Sequence, residues 1–359
     1  MRIQFPTETS FKGYDARKIK ALCIGTTKGG VANELVSIGK NVGFDVFVPT
    51  GFGLEKVEEC RRRLDLGHKL WLQDLVITTT KNAVIPVFSA ELLAHWISET
   101  FEKKEELCCS KLSAGGNMFF VQNMETGKED LLLGADETSN YAKHPEIKSL
   151  LGVDKVDVVP QMDFHIDMFL RPLDGKNVLI ADDALTIRAM RLGLSRIQSA
   201  LSKSNVHRDF LKKVYNNLIV ELKEFRTAMD RNPYAKLEMT EKSLRKSGYN
   251  PIHVPGRIYT IDAQGSMRCT TNYMNSVVTK NDNDEMVYIT NKSFFDKKCG
   301  ITPSIQELIG FSFEDEFLKS ISGFVKPENV YFVGGEDSYL ENLLHDSFGG
   351  LHCITTEIV

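Results

Sequence analysis

One grouping recurs along this chain and limits what it can fold into: strand, strand, helix, strand. "IKALCIG" (19–25) and "FDVFVP" (44–49) read as strands around a helix, "GVANELVSIGKNVG" (30–43). "LWLQDLVITTT" (70–80) and "AVIPVFS" (83–89) read as a hairpin, followed by "AELLAHWISETFEKK" (90–104) with apolar residues at helical spacing. "GGNMFFVQN" and "EDLLLGAD" form a second hairpin before the short helix "HPEIKSLLG", and "KVDVVPQ", "DFHIDMFLRPL" and "NVLIADD" follow as strands. Interleaved rather than segregated elements predict an α/β or α+β class. The repetition lies in pattern and not in residues.

Residues 184–247 break the rhythm. "LTIRAMRLGLSRIQSAL" and "HRDFLKKVYNNLIVELKEFRTAMDR" are amphipathic helices with few β signals. This stretch carries 14 Lys/Arg against 6 Asp/Glu, while the whole chain has a formal net charge of −4. The rest is therefore acidic. A basic helical insertion in an acidic body is suited to receiving an acidic protein partner or roofing a site; it is equally the mark of a solvated helical hairpin. Beyond it the β rhythm returns in "RIYTIDA", "NYMNSVVTK", "EMVYITNKS" and "ENVYFVGG", with helix in "SIQELIG" or "EDEFLKSISGF" and helix or turn in "SYLENLLHDSFGG". The last run, "LHCITTEIV", favours a strand, which predicts a chain end held in a sheet.

Composition removes whole classes. Hydrophobic residues at 42% and charged residues at 26% fit a globular domain. No run approaches the roughly 18 apolar residues of a membrane span, and the first residues lack the apolar core of a signal peptide. A cytoplasmic location is expected, or export by a specialised machine. The net charge gives no case for nucleic acid. Seven cysteines, an odd number without CxxC pairs, predict reduced thiols and no zinc site. "GTTKGGVANE" (25–34) lacks the Lys-Ser/Thr that a phosphate loop needs, so nucleotide binding is not expected. "GFG" (51–53) reads as a turn, and Cys108–Cys109 as two buried thiols.

Three segments place polar groups within apolar runs. Asp74 sits in "LWLQDLVI", three residues after Trp71. His165 and Asp167 are spaced i, i+2 in "MDFHIDMFL", which on a strand puts both on one face. Cys353 follows the pair Gly349-Gly350, which lets backbone or substrate come close. A buried Asp or His without a partner is costly. Singly, each segment is explained by a surface Asp or a satisfied core His; together, Asp…His-x-Asp…His-Cys reads as a site.

This pattern, W-x-x-D, G-N, H-x-D and G-G-x-H-C, resembles the guanidino-group-modifying superfamily, the penteins. The resemblance implies an α/β fold, a five-bladed propeller with pseudo-fivefold symmetry, made by a single catalytic domain over 1–359 with the helical insertion at 184–247. "LWLQD" looks most like protein-arginine deiminases, "HIDMFL" like both protein and agmatine deiminases, and "GGLHCIT" like the agmatine deiminase ending. Implied roles follow. Cys353 is the nucleophile, and His165 the general acid and base. Asp74 and Asp167 clamp the planar, N–H-rich guanidinium. Trp71, Gly116 and Asn117 line the pocket.

Ala114 stands where small-molecule members often carry an acidic residue, which favours an arginine side chain in a protein or peptide as substrate, converted to citrulline and ammonia. Leu75 replaces an acidic residue of the calcium-dependent animal enzymes, which speaks against calcium; no cofactor is expected. The alternatives are a small-molecule deiminase or hydrolase for agmatine, arginine or methylarginine, and a guanidinium- or partner-binding protein without catalysis.

Overall fold

A computed structural model describes residues 17–359 except 29, 51, 61–70, 80–82, 87–89, 106–114, 124, 125, 127, 138–145, 204–206, 233, 234, 263, 335–338 and 348. The first sheet opens with β1 (Ala21–Ile24), crosses helix α1 (Val31–Val42) and returns in β2 (Asp45–Pro49), with β3 (Leu54–Lys56) at its edge. The second runs β4 (Val76–Thr78), β5 (Ala83–Pro86), α2 (Glu91–Phe101), β6 (Lys104–Glu105). The third runs β7 (Met118–Gln122), β8 (Glu129–Gly134), α3 (Glu146–Leu151), β9 (Val156–Val159).

The fourth sheet has β10 (Leu170–Pro172) and β11 (Asn177–Ala181), then three helices, α4 (Asp183–Lys203), α5 (Arg208–Arg231) and α6 (Leu237–Lys246), before β12 (Asn250–Val254). A two-stranded sheet, β13 (Arg257–Ile261) with β14 (Met267–Asn272), intervenes. The fifth sheet is β15 (Val277–Lys280), β16 (Met286–Asn291), α7 (Phe294–Cys299), α8 (Pro303–Ile309), α9 (Phe313–Ile321), β17 (Val330–Val333). Helix α10 (Tyr339–Ser347) and β18 (Thr355–Ile358) follow.

Five sheets obey one pairing plan. The first strand is antiparallel to the second, and the second is parallel to the third across a helical crossover. The first sheet joins the plan only through the end of the chain: β18 lies antiparallel to β1, with Thr355 opposite Ile24 and Ile358 opposite Ala21. The central strands are covered on both faces, so their sequences are near-continuous apolar runs, as in "ALCI" and "NVLIA". The first strands of all five sheets line one cavity, contributing Glu357, Thr78, Phe120, Arg171 and Val278.

In the insertion, α5 buries Leu211, Val214, Leu218 and Phe225, a helical stripe that holds it on the core. Three helices fill this stretch rather than the two expected; "LEMTEKSLRK" is the third. No helix among the described residues is long and apolar enough to cross a membrane.

Three segments read as strand are turns instead. Residues 72–74 and 166–168 form single 3₁₀ turns, and the strands start only at Val76 and Leu170. Cys353 lies in a turn that ends where β18 begins at Thr355. The cause is local hydrogen bonding: Asp74 N–H donates to the Trp71 carbonyl, Met168 N–H to His165, and Thr355 N–H to His352, each three residues back. His165 and Asp167 thus converge through a turn, not through the alternation of a strand.

Candidate active site

These turns repeat the same placement. Asp74 precedes β4, Gly116 precedes β7, Asp167 precedes β10, Asn275 precedes β15 and Cys353 precedes β18. One chemically useful position therefore stands at the same end of the first strand of each of the five sheets. The structure brings Asp74, Gly116, His165, Asp167 and Cys353 together, and it adds two residues without an expected role, Asn275 and His352.

The Asn275 side chain joins the thiol to the carboxylate. Its Nδ2 donates to Cys353 Sγ at 3.0 Å and to Asp167 Oδ2 at 3.0 Å. Its Oδ1 accepts the backbone N–H groups of His352 (2.8 Å) and Cys353 (3.3 Å), so the amide also shapes the cysteine turn. Asp167 Oδ2 further contacts His352 Nδ1 at 3.0 Å and the Cys353 thiol at 3.4 Å. The other oxygen, Asp167 Oδ1, is buried and has no hydrogen-bond partner among the described residues. A fully buried carboxylate with one oxygen crowded by donors and the other bare is poised for a further donor.

Asp74 is fixed from the other side. Its Oδ1 accepts the Gly116 N–H at 2.9 Å. Gly116 has to be glycine: a Cβ there would lie 2.6 Å from His165 Nδ1 and 3.2 Å from Asp167 Oδ2. The His165 ring and both carboxylates thus approach one point of bare backbone.

Asn117 serves the scaffold. It is 3% exposed, and its Oδ1 accepts from Gln161 Nε2 (3.2 Å) and Ile166 N–H (3.1 Å), holding the His165–Asp167 turn. The two glycines before Cys353 admit protein groups. A Cβ on Gly349 would lie 2.0 Å from Trp71 Cζ3, and one on Gly350 would lie 2.7 Å from Asn291 Nδ2. Trp71 is accordingly seated flush against the cysteine loop, half-buried. Ala114 lies outside the described residues.

The electrostatics ask for a cation. Burial pushes the Cys353 thiol well above its ordinary value; the charges of Asp167 and Asp74 push it further, and the Asn275 N–H opposes them. Burial also raises Asp74, opposed first by His165 and by the Gly116 N–H, while Asp167 adds to the rise. A positive charge bound between the carboxylates would relieve both groups and favour the thiolate. Among the described residues no group of three or more His, Cys, Asp or Glu is disposed to hold a metal ion.

No protein-family model matches the chain, and no curated protein matches it in sequence. Solved structures match in fold, and that fold is the pentein fold. Agmatine deiminase from C. jejuni has 12% identity over 96% of this chain and 94% of its own, with a TM-score of 0.50. A Cys-to-Ser variant of that enzyme with substrate bound gives 12%, 97%, 96% and 0.52. An amidinotransferase of the saxitoxin biosynthetic pathway, from Microseira wollei, gives 13%, 98%, 96% and 0.51.

Proposed function

We propose that this chain is a guanidino-group hydrolase acting on a small guanidino compound, with Cys353 as its nucleophile. The observation that carries the reading is the Asp167 carboxylate, whose Oδ2 meets the Cys353 sulfur at 3.4 Å while its buried Oδ1 has no partner among the described residues, with Asp74 held by the Gly116 N–H. Guanidinium N–H groups fill Asp167 Oδ1 and Asp74, which centres the guanidinium carbon over Sγ.

The reaction then runs in two halves. The thiol proton passes to His165 and Sγ bonds to the carbon, with Asn275 stabilising the sulfur anion as it forms. His165 gives that proton to the departing nitrogen; the C–N bond breaks, ammonia leaves and a thiouronium remains on Cys353. His165 next takes a proton from water as the oxygen adds to the same carbon. The C–S bond breaks: His165 returns its proton to the sulfur, the hydroxyl proton of the adduct passes to solvent, and the ureido product leaves the restored thiol.

A small substrate is supported by burial of the reacting groups: Asp167 is fully buried and Cys353 only 6% exposed. It is supported also by a fold shared with an agmatine deiminase over nearly the whole of both chains. The protein-arginine reading has no comparable support. The matching architecture is a five-bladed propeller, supported by five sheets with one pairing plan whose first strands line one cavity.

The test is ammonia and ureido release from a panel of agmatine, arginine, methylated arginine and an arginine-containing peptide, with and without an acceptor amine. Turnover of a small member, lost in Cys353→Ala, is expected. Turnover of the peptide alone would overturn the substrate class, and product formed only with the amine would overturn hydrolysis.

A further inference from the structure

The segment leading into the His165 turn is anchored from outside the site. The insertion reaches that segment through several hydrogen bonds. Ala235 N–H donates to the Gln161 carbonyl (2.8 Å), and Asn232 Nδ2 to the Met162 carbonyl (3.1 Å). Thr240 Oγ1 donates to the Pro160 carbonyl (2.9 Å), and Ser243 Oγ to the Val158 carbonyl (3.0 Å). The insertion is thus packed along the segment leading into His165.

One fully buried cation completes the bracing. Arg257, 1% exposed on β13, donates through Nη1 to Asp163 Oδ2 (2.9 Å) and to the Met162 carbonyl (3.4 Å). Its Nε and Nη2 reach Asp183 Oδ1 (3.2 Å) and Oδ2 (3.3 Å), at the first residue of α4. Tyr259 places its ring beside the guanidinium and donates its hydroxyl to Asp163 Oδ2. Asp163 in turn accepts the Phe164 N–H at 2.9 Å, one residue before His165. A buried ion pair adds little net stability, because desolvation offsets its attraction. What it does supply is direction: the planar fork grips both oxygens of Asp183 in one geometry while its other arm holds Asp163.

We propose that Arg257 is a positioning residue that makes the 184–247 insertion a brace for the acid–base histidine. It acts through Asp163 and the Phe164 backbone and contacts no substrate. The proposal gives the insertion a catalytic purpose in place of a docking or roofing one, and it rests on the reading of His165 as the proton carrier.

The experiment uses the full chain with Asp183→Asn, which loosens only the insertion's end of the fork, and Arg257→Lys, which keeps charge and loses the fork. Histidine ring signals are followed by NMR at one fixed pH, with His165 assigned from His165→Ala. Both variants are expected to move the His165 signal while the exposed His95 signal stays in place. On the best panel substrate, kcat is expected to fall about 10-fold with KM within threefold. Labelling of Cys353 by a haloacetamidine should stay near one per chain. In a His165→Ala background, Asp183→Asn should change the residual rate less than twofold.

An unmoved His165 signal in a folded Asp183→Asn protein overturns the proposal, as does a fall in kcat matched by an equal fall in labelling. If the wild-type chain turns over no substrate, the hydrolase reading has failed, and the NMR measurement still decides the brace. Should Arg257→Lys not fold, Asp183→Asn alone decides it.

Discussion

One side-chain amide ties together two turns that lead into different sheets: Asn275 Nδ2 lies 3.0 Å from Cys353 Sγ and equally 3.0 Å from Asp167 Oδ2. A single N–H donor set therefore serves the proposed nucleophile and the carboxylate proposed to clamp the substrate, and Asp167 Oδ1 has no partner among the described residues. Asn275→Ala should lower kcat/KM about 10- to 100-fold, the worth of a hydrogen bond to a charged group. Asn275→Asp should cost more, because it sets a second carboxylate beside Asp167 and the sulfur. Steady-state kinetics on the best panel substrate, with circular dichroism to confirm folding, would check the order. An Asp variant as active as wild type would remove Asn275 from the mechanism.

The thiol makes a prediction about stability. The folded state holds the Cys353 proton more tightly than the unfolded state does, since burial and two carboxylates raise its pKa. Folded protein therefore binds more protons than unfolded protein above the ordinary thiol value, and stability falls as pH rises through that window. The penalty approaches about 1.4 kcal/mol for each pH unit above that value. Cys353→Ala escapes it. The melting temperature of Cys353→Ala relative to wild type should rise between pH 7 and pH 10; a constant difference would contradict the burial argument.

The same charges should sort reagents. A cationic haloacetamidine can settle between Asp74 and Asp167 and favour the thiolate, whereas neutral iodoacetamide cannot. Cys353 should react much faster with the amidine near neutral pH, and Asp167→Asn should remove that preference. Mass spectrometry of the modified chain would measure both rates. Equal reactivity toward the two reagents would argue against a cation site.

The sequence exposed which side chains converge better than the backbone that presents them. Asp74, His165, Asp167 and Cys353 stand out as polar residues in apolar runs, and they do meet. Their placement in turns was illegible because apolar neighbours such as Ile166 and Met168 look like strand residues while serving as buried turn residues. Asn275 was hidden inside "NYMNSVVTK", a run with strand character. Its signal was positional: the polar pair Asn275-Ser276 stands just before an apolar strand, much as Gln73-Asp74 does. His352 sits within the cysteine motif, but its partner Asp167 is 185 residues away, beyond any local pattern. The Arg257 fork likewise joins Asp163 and Asp183 through space only.

Two glycines offer a steric test. A methyl at Gly116 would press on His165 Nδ1, and one at Gly349 would press on the Trp71 ring. Gly116→Ala should cost about 100-fold in kcat, the scale of a misplaced catalytic group, with little change in melting temperature. Gly349→Ala should instead destabilise by about 1–3 kcal/mol through overpacking, and shift the emission of Trp71, one of only two tryptophans. Denaturant melts followed by fluorescence would separate these effects. Tolerance of alanine at Gly116 with full activity would mean that His165 stands elsewhere in the working enzyme.

The residues after Cys353 should matter as much as the thiol. β18 pairs with β1 and is pinned by side chains from neighbouring segments. Thr356 Oγ1 donates to the Val76 carbonyl (2.7 Å), Thr78 Oγ1 to the Glu357 carbonyl (2.6 Å) and Lys103 Nζ to the Val359 carbonyl (2.8 Å). The strand thereby joins the first and second sheets and fixes the turn from which Cys353 projects. A chain ending at Ile354 keeps the cysteine but loses this anchor, and it should show no turnover and no haloacetamidine labelling. Thr356→Val, which removes one bond, should cost only about 1 kcal/mol and keep most activity. Comparing the two by thermal melting and labelling stoichiometry grades the strand's contribution. A truncated chain that still labelled at one per molecule would show that the cysteine turn holds its shape without the sheet.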